Sequence, residues 1–199
     1  MLVLASRSPR RAELLTRAGF AFTVAPADVD EAPRPGEDPH ALVARLAHAK
    51  ASAVAAKRPS AVVVGADTLV VVEATTLGKP TDATDATAML HRLSGRTHEV
   101  LTGVAVHAGK QRLCDVASSR VTMRSLSEDD IGWYVGSEEP MGKAGAYAIQ
   151  GLASRFVVGI DGSYTNIVGL PIELLDRLLR AVGVDRGIGV YENSSRASR

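Results

Sequence analysis

Three sets of residues in this 199-residue chain have the types and spacing for chemistry. The first is the run Ala61-Val-Val-Val-Gly-Ala-Asp-Thr68, six small or apolar residues that lead without alternation into a carboxylate, Asp67. A strand covered on both faces reads this way when it delivers one charged group to its carboxyl end, where open α/β sheets place their ligands. By residue type alone, Asp67 serves equally as a turn cap. The second set is Arg7, Arg10 and Arg11 around Ser8-Pro9. Ser8 suits an N-cap and Pro9 the first helical position, so Arg10 and Arg11 fall in the first helical turn. A helix start is already positive, and each cation there costs on the order of 0.3 to 1 kcal/mol. Such a cluster attracts phosphate. The competing reading pairs Arg10 with Glu13 and leaves the other two in solvent.

The third set is scattered along the chain. Lys50 lies in the apolar stripe Val43, Leu46, Ala47, Val54 of a helix expected over residues 38–57. A lysine there either snorkels to water or meets an anion at the edge of the core. Lys79, held extended by Pro80, has a restricted backbone and a free cationic head. Between Pro26 and Pro39 an irregular stretch holds Asp28, Asp30, Glu31, Glu37 and Asp38. Acidic loops are usually just solvated, but a divalent cation serving a phosphate draws oxygen ligands from such a loop, and Glu31 or Asp30 can supply one. Gln150 closes a glycine-rich segment over residues 140–151 and offers a donor and an acceptor, as reading the polar edge of a base requires. The glycines of that segment permit tight backbone approach to a ligand, but their spacing is neither a dinucleotide fingerprint nor a P-loop. This is the inventory for hydrolysing a nucleoside triphosphate: cations for the phosphates, carboxylates to seat Mg²⁺, and a carboxylate to orient water.

The elements that must position these groups follow from periodicity and punctuation. Leu2 to Ala5 form a short strand that turns into a helix closed by Gly19, and a second strand covers Ala21 to Val24. The Ala61 strand extends through Leu69 to Val72, with a turn near Glu73-Ala74. Thr81 or Asp82 caps a third helix carrying Ala86, Met89, Leu90 and Leu93. Thr97 to His107 and Arg112 to Met123 read as a long hairpin, in which His98 and His107 are ordinary structural histidines. Ser127 opens a helix through Ile131, Trp133 and Tyr134. Arg155 to Ile160 and Ser163 to Val168 read as a last pair of strands around Asp161-Gly162, before a closing helix from Pro171. After Gly183 the pattern becomes polar and aperiodic, and a mobile or partner-docked tail is expected over residues 184–199.

Composition narrows the rest. With 46% hydrophobic residues the chain buries a sizeable core. With 23 basic and 22 acidic residues it carries a net charge of +1, so there is no general footprint for nucleic acid or an anionic membrane, and anion binding must be local. One cysteine, Cys114, precludes an internal disulfide or a cysteine metal cluster. No apolar run reaches the length of a membrane span, and the arginines after Ala5 come too soon for a signal-peptide core. A cytoplasmic protein is expected.

Five segments in order carry a family resemblance: Leu2 to Leu15, Gly65-Ala-Asp-Thr68, Leu77-Gly-Lys-Pro80, Leu93-Ser-Gly-Arg96 and Gly142 to Gly151, followed by Gly169-Leu-Pro171. They resemble the Maf family of nucleotide pyrophosphatases over residues 1 to about 183, read as one domain. The resemblance implies an elongated mixed α/β sheet flanked by helices, with two lobes around a central cleft, similar to the inosine triphosphate pyrophosphatases, and commonly a homodimer. It implies cleavage between the α- and β-phosphates with Mg²⁺ or Mn²⁺. By the same resemblance Asp67 matches the catalytic base, and Arg10, Thr68 and Gln150 match the positions that mark the branch acting on dTTP, UTP and modified pyrimidine triphosphates, as opposed to the branch that prefers 7-methyl-GTP. Ser6, Arg10, Arg11, Lys50 and Lys79 fall where the family lines its phosphate site, Glu31 and Asp67 where it seats its metal. Arg7 falls at a position that varies. Two other classes remain open: an NTPase releasing orthophosphate, and a nucleotide-binding regulator of cell division with little turnover.

Overall fold

The computed structural model describes residues 1–184; of the tail expected over residues 184–199, Val184 is buried in the main core and the rest lies outside the described residues. In chain order the elements are β1 (Leu2–Leu4), α1 (Pro9–Arg17), β2 (Phe22–Val24), α2 (Pro39–Ala55), β3 (Val62–Val72), β4 (Thr75–Leu77), α3 (Ala83–Leu93), β5 (Thr97–Ala108), β6 (Gln111–Met123), α4 (Glu128–Gly136), β7 (Val157–Asp161), α5 (Tyr164–Val168) and α6 (Ile172–Ala181). Two 3-10 turns, Ala144–Ala146 and Leu152–Phe156, punctuate the glycine-rich stretch and the segment after it. The seven strands form one mixed sheet in the order β2-β1-β3-β5-β6-β7, with β4 added beside β3. β1 runs parallel to β2 and β3, and every other pairing is antiparallel. The mixed α/β architecture expected from the sequence is the one found.

Alternation along β3 sorts its side chains between two cores. Val64, Ala66, Val70 and Val72 face the larger one, shared with α1, α3, α4 and α6. Val63 and Leu69 face α2, which covers the opposite side of the sheet through two smaller clusters. Contact with α2 is close because glycines meet it: a Cβ on Gly65 would lie 2.2 Å from the Ala47 carbonyl oxygen, and one on Gly103 would lie 2.4 Å from that of Val43. Asp38 caps α2, accepting from the His40 and Ala41 N–H groups at 2.9 and 3.2 Å.

Three expectations change. β3 runs on to Val72 as expected, so Asp67 stands within the strand and not at its carboxyl end. What ends is its parallel neighbour: β1 stops at Leu4 opposite Val64, and β4 pairs only from Val70 onward. Between them one edge of β3 has no strand partner. The expected strand Ser163–Val168 is instead the short helix α5. Its residues have the β-branched and aromatic content of a strand, but Ser163 Oγ accepts from the Asn166 N–H at 3.2 Å as an N-cap, and Asn166 Nδ2 donates to the Val100 carbonyl and to Ser119 Oγ, both at 2.9 Å. A buried capping network overrides propensity here. Its predecessor is also shorter than expected, beginning at Val157 after the Leu152–Phe156 turn.

Candidate active site

Neighbouring residues on a strand point to opposite faces of the sheet, so Asp67 and Thr68 can line one cleft only where the strand has a free edge. The gap beside β3 supplies it. A cleft of about 620 Å³ passes through that gap, touching Lys50 and Asp67 on the α2 side and Thr68, Val70 and Val100 on the other. Its size suits a small-molecule ligand. Six cationic residues (Arg7, Arg10, Arg11, Lys50, Lys79, Lys143) line it against three carboxylates (Asp28, Glu31, Asp67), although the whole chain is nearly neutral.

On the α2 side, the Lys50 ammonium lies 2.6 Å from Asp67 Oδ1 and 2.6 Å from Glu31 Oε1. The anion-meeting alternative for Lys50 therefore holds: its side chain is 9% exposed and its stem runs among the apolar residues of α2. Lys79, mostly exposed, stands 3.8 Å from Glu31 Oε2. Partial burial acts to raise the Glu31 pKa, but its hydrogen bond to Lys50 and the charges of Lys50, Lys79 and Arg11 prevail and hold it below the ordinary range. The acidic loop that carries Glu31 is fastened to α2 by Arg45, which donates from Nε and Nη2 to the two oxygens of Glu37 at 2.6 and 2.7 Å and from Nη2 to the Ala32 carbonyl at 3.0 Å.

Arg11 fills the gap in the ladder. Its Nε donates to the Gly169 carbonyl at 2.7 Å, Nη1 to the Ala66 carbonyl at 2.8 Å and to Ser6 Oγ at 3.2 Å, and Nη2 to Thr68 Oγ1 at 3.0 Å. A missing strand would have satisfied Ala66; a guanidinium does so instead. Four of its five N–H groups are thereby used. Burial lowers the Arg11 pKa, with Asp67 acting in the opposite direction, and the group remains charged. Arg11 thus ties the turn after β1, β3 and the loop after α5 together while supplying positive potential from beneath the cleft. Ser6 Oγ also accepts the Ser8 N–H at 3.1 Å. Ser8 adopts the extended N-cap conformation without a side-chain cap bond.

Arg10 lines the cleft and makes no side-chain hydrogen bond or ion pair among the described residues. The expected alternative, pairing with Glu13, is replaced by Glu13 with Arg17 at 2.6 Å. Arg7 is exposed at the same rim. On the far side of the gap, Thr68 Oγ1 lies 3.0 Å from Thr102 Oγ1 and 3.4 Å from the Gly169 carbonyl. Gln150 is exposed and lines this end together with Tyr147, Ile149 and Lys143.

In the glycine-rich segment Gly142 lines the cleft, whereas two other glycines serve packing. Gly145, at a φ of 67°, sits against the protein: its N–H donates to the Gly78 carbonyl at 2.9 Å and a Cβ would come within 2.9 Å of Val70. Gly151 packs on the Glu139 carboxylate in the same manner. These glycines let the segment approach β3 and α4 closely, and through that packing they place Gln150 at the cleft. Two features of the cleft and its support are hard to read in the sequence. Lys143 is legible only as a lysine among glycines, and Glu139, behind the cleft, accepts from the Tyr134 hydroxyl and from the Leu152 N–H thirteen residues downstream, a pairing that no local pattern announces.

A mixed α/β fold with a cationic, carboxylate-bearing cleft through a gap in its sheet defines an α/β protein built to hold a polyanion. Comparison with known proteins makes the class specific. The sequence matches the Maf-like protein family over residues 1–182, and the chain belongs to that family. Among its relatives, the dTTP/UTP pyrophosphatase of Myxococcus xanthus (strain DK1622) is 52% identical over 184 residues, covering 92% of this chain and 93% of the relative. That of Koribacter versatilis (strain Ellin345) is 50% identical over 183 residues, covering 92% and 95%. That of Geobacter sulfurreducens is 48% identical over 184 residues, covering 92% and 96%.

Proposed function

We propose that this protein is a nucleoside triphosphate pyrophosphatase, hydrolysing dTTP, UTP and modified pyrimidine triphosphates to the monophosphate and pyrophosphate. The observation that carries the reading is the Lys50 ammonium shared by Glu31 and Asp67 at 2.6 Å each, at the floor of a cationic cleft. The relatives' names agree with it. Asp67 Oδ1 is held by Lys50, and Oδ2 accepts no hydrogen bond from the described protein. Oδ2 is the atom to orient a water and take its proton as the water oxygen bonds to the α-phosphorus. The anhydride bond to the β-phosphate breaks and pyrophosphate leaves with the electron pair. Arg10, Lys50 and Lys79 neutralise the charge that develops on it, and Arg11 adds its potential from below.

The donor set fits a divalent cation. Glu31 and Asp67 already share one cation, the Lys50 ammonium, and both offer the hard oxygen ligands that Mg²⁺ or Mn²⁺ takes. No group of three or more His, Cys, Asp or Glu residues suited to a metal exists among the described residues. Two carboxylates with substrate phosphate and water completing the shell is the usual arrangement for Mg²⁺ at a nucleotide site. When bound, the ion supplies further neutralisation of the phosphate oxygens. Thr68 and Gln150 then face the part of the substrate that lies on the other side of the gap.

The test is product analysis. With Mg²⁺ and a panel of canonical and base-modified triphosphates, the wild type is expected to give monophosphate and pyrophosphate, with UTP and dTTP preferred. Asp67→Asn is expected to lose about 10²- to 10⁴-fold in turnover, the usual range for a general base, with little change in thermal stability. Orthophosphate as the product, binding without turnover, or near-normal activity in Asp67→Asn would each sink the proposal.

A further inference from the structure

The base-facing end of the cleft is organised by two residues that do not themselves line it. Tyr134, on α4, is fully buried, and its hydroxyl donates to Glu139 Oε1 at 3.0 Å while accepting the Ala148 N–H at 3.3 Å. Glu139 Oε2 accepts the Leu152 N–H at 3.0 Å. Gln150 is thus bracketed, two residues before and two residues after, by backbone anchors that end on one tyrosine–carboxylate pair. Between them Gly151 presses flat on the carboxylate, where a Cβ would stand 2.4 Å from both oxygens. The Lys143 ammonium donates to the Glu139 carbonyl, closing the segment from its other end. Burial and the neighbouring carboxylate keep the Tyr134 phenol protonated far above neutral pH, so it stays a donor to Glu139.

We propose that Tyr134 and Glu139 are positioning residues for substrate selection, fixing the Ala148–Leu152 turn so that Gln150 meets the base. The inference rests on the assignment of Gln150 to base reading. A backbone N–H anchor fixes where a side chain starts, so its loss moves Gln150 as a unit without unfolding the core around it. A ligand's recognition edge tolerates such displacement poorly.

The experiment compares kcat/KM for UTP and GTP in Tyr134→Phe, Glu139→Gln, Gln150→Ala and the Glu139→Gln/Gln150→Ala double variant, with melting temperatures alongside. Tyr134→Phe keeps the buried ring and removes only the hydroxyl. Glu139→Gln keeps one acceptor and replaces the other by an NH₂ group. Each single variant is expected to cut the pyrimidine preference at least fivefold, mainly through KM, with folding retained. In the double variant the preference is expected to match Gln150→Ala alone, because a positioning residue has nothing left to position. If Gln150→Ala leaves the preference unchanged, base reading by Gln150 fails and the inference falls with it. If Gln150→Ala shifts it while Tyr134→Phe and Glu139→Gln do not, or if the double variant is additive, the inference alone is overturned. Should Glu139→Gln fold poorly, Tyr134→Phe carries the same comparison and the same two outcomes.

Discussion

At the scale of single residues, the molecule holds a buried histidine whose charge state matters. His98 is 2% exposed, its Nε2 lies 2.8 Å from the Tyr147 hydroxyl, and its Nδ1 has no partner among the described residues. A protonated ring would have to bury an N–H without an acceptor, and burial pushes its pKa down to about 4 from 6.5. In the unfolded chain the ring takes up its proton near pH 6.5, so acid favours unfolding. The stabilisation is present in full above pH 6.5 and is lost as pH falls towards 4. The shift corresponds to about 3 kcal/mol over that window. Urea titrations at pH 7 and pH 4.5 should therefore show a steep loss in the wild type and a loss smaller by about 2 kcal/mol in His98→Gln. Parallel losses in the two proteins would assign the acid sensitivity to other groups. Tyr147 lines the cleft, so the pair is also part of its wall.

At the scale of elements, the α2–β3 contact governs where Lys50 meets Asp67. Lys50 shares its helix with Ala47 and Ala51, the residues that Gly65 faces. A methyl at position 65 would stand 2.2 Å from the Ala47 carbonyl oxygen and 2.7 Å from the Ala51 nitrogen, both backbone atoms that can move only with the helix. Gly65→Ala is expected to cost about 1 to 3 kcal/mol through overpacking. It should also lower kcat/KM at least tenfold by withdrawing the lysine from the carboxylates. Gly132→Ala, within α4 with nothing within 4 Å of the added carbon, serves as the control. It is expected to leave activity intact and to stabilise by about 0.5 to 1 kcal/mol. Equal activity in the two variants would show that the helix spacing does not set the site.

The same elements separate what is legible in a sequence from what is not. Lys50 and Asp67 are readable because each breaks an otherwise apolar pattern, and a charge in such a place has to find a partner. The long β5–β6 hairpin and α2 follow from periodicity and a cap. Arg11 reads as one arginine of three; its partners are carbonyls at positions 66 and 169, which any residue type would offer. Glu139 is hidden for the same reason. Helix α5 reads as a strand because the Asn166 side-chain bonds that hold it join residues 47 and 66 positions apart in the chain, beyond the reach of local propensity. The gap in the β3 ladder depends on where β1 and β4 happen to stop, which is a property of pairing and of no single segment.

At the scale of the whole molecule, that gap makes the cleft continuous across the sheet and divides the ligand's contacts between its two faces. Glu31, Lys50, Asp67 and Lys79 belong to the α2 side, and Thr68, Val70, Tyr147 and Gln150 to the other, with Arg11 at the crossing. In the proposed reaction the triphosphate tail then occupies one side and the base the other. The two segments that close over them differ in anchoring. The loop over residues 25–38 is fastened mainly by the Glu37–Arg45 pair, and residues 140–152 by Tyr134 and Glu139. Partial ligands should accordingly protect different segments from hydrogen exchange. Pyrophosphate with Mg²⁺ is expected to slow exchange in residues 26–38 and 78–81 and to leave 141–152 unchanged. Uridine at a concentration above its dissociation constant should do the reverse. A non-hydrolysable UTP analogue should protect both, and by more than either fragment, since tethering the two halves converts the second contact into an intramolecular one. Protection of a single segment by all three ligands would place the whole substrate on one face of the sheet, and the gap would then be a structural accommodation of Arg11 with no part in spanning the ligand.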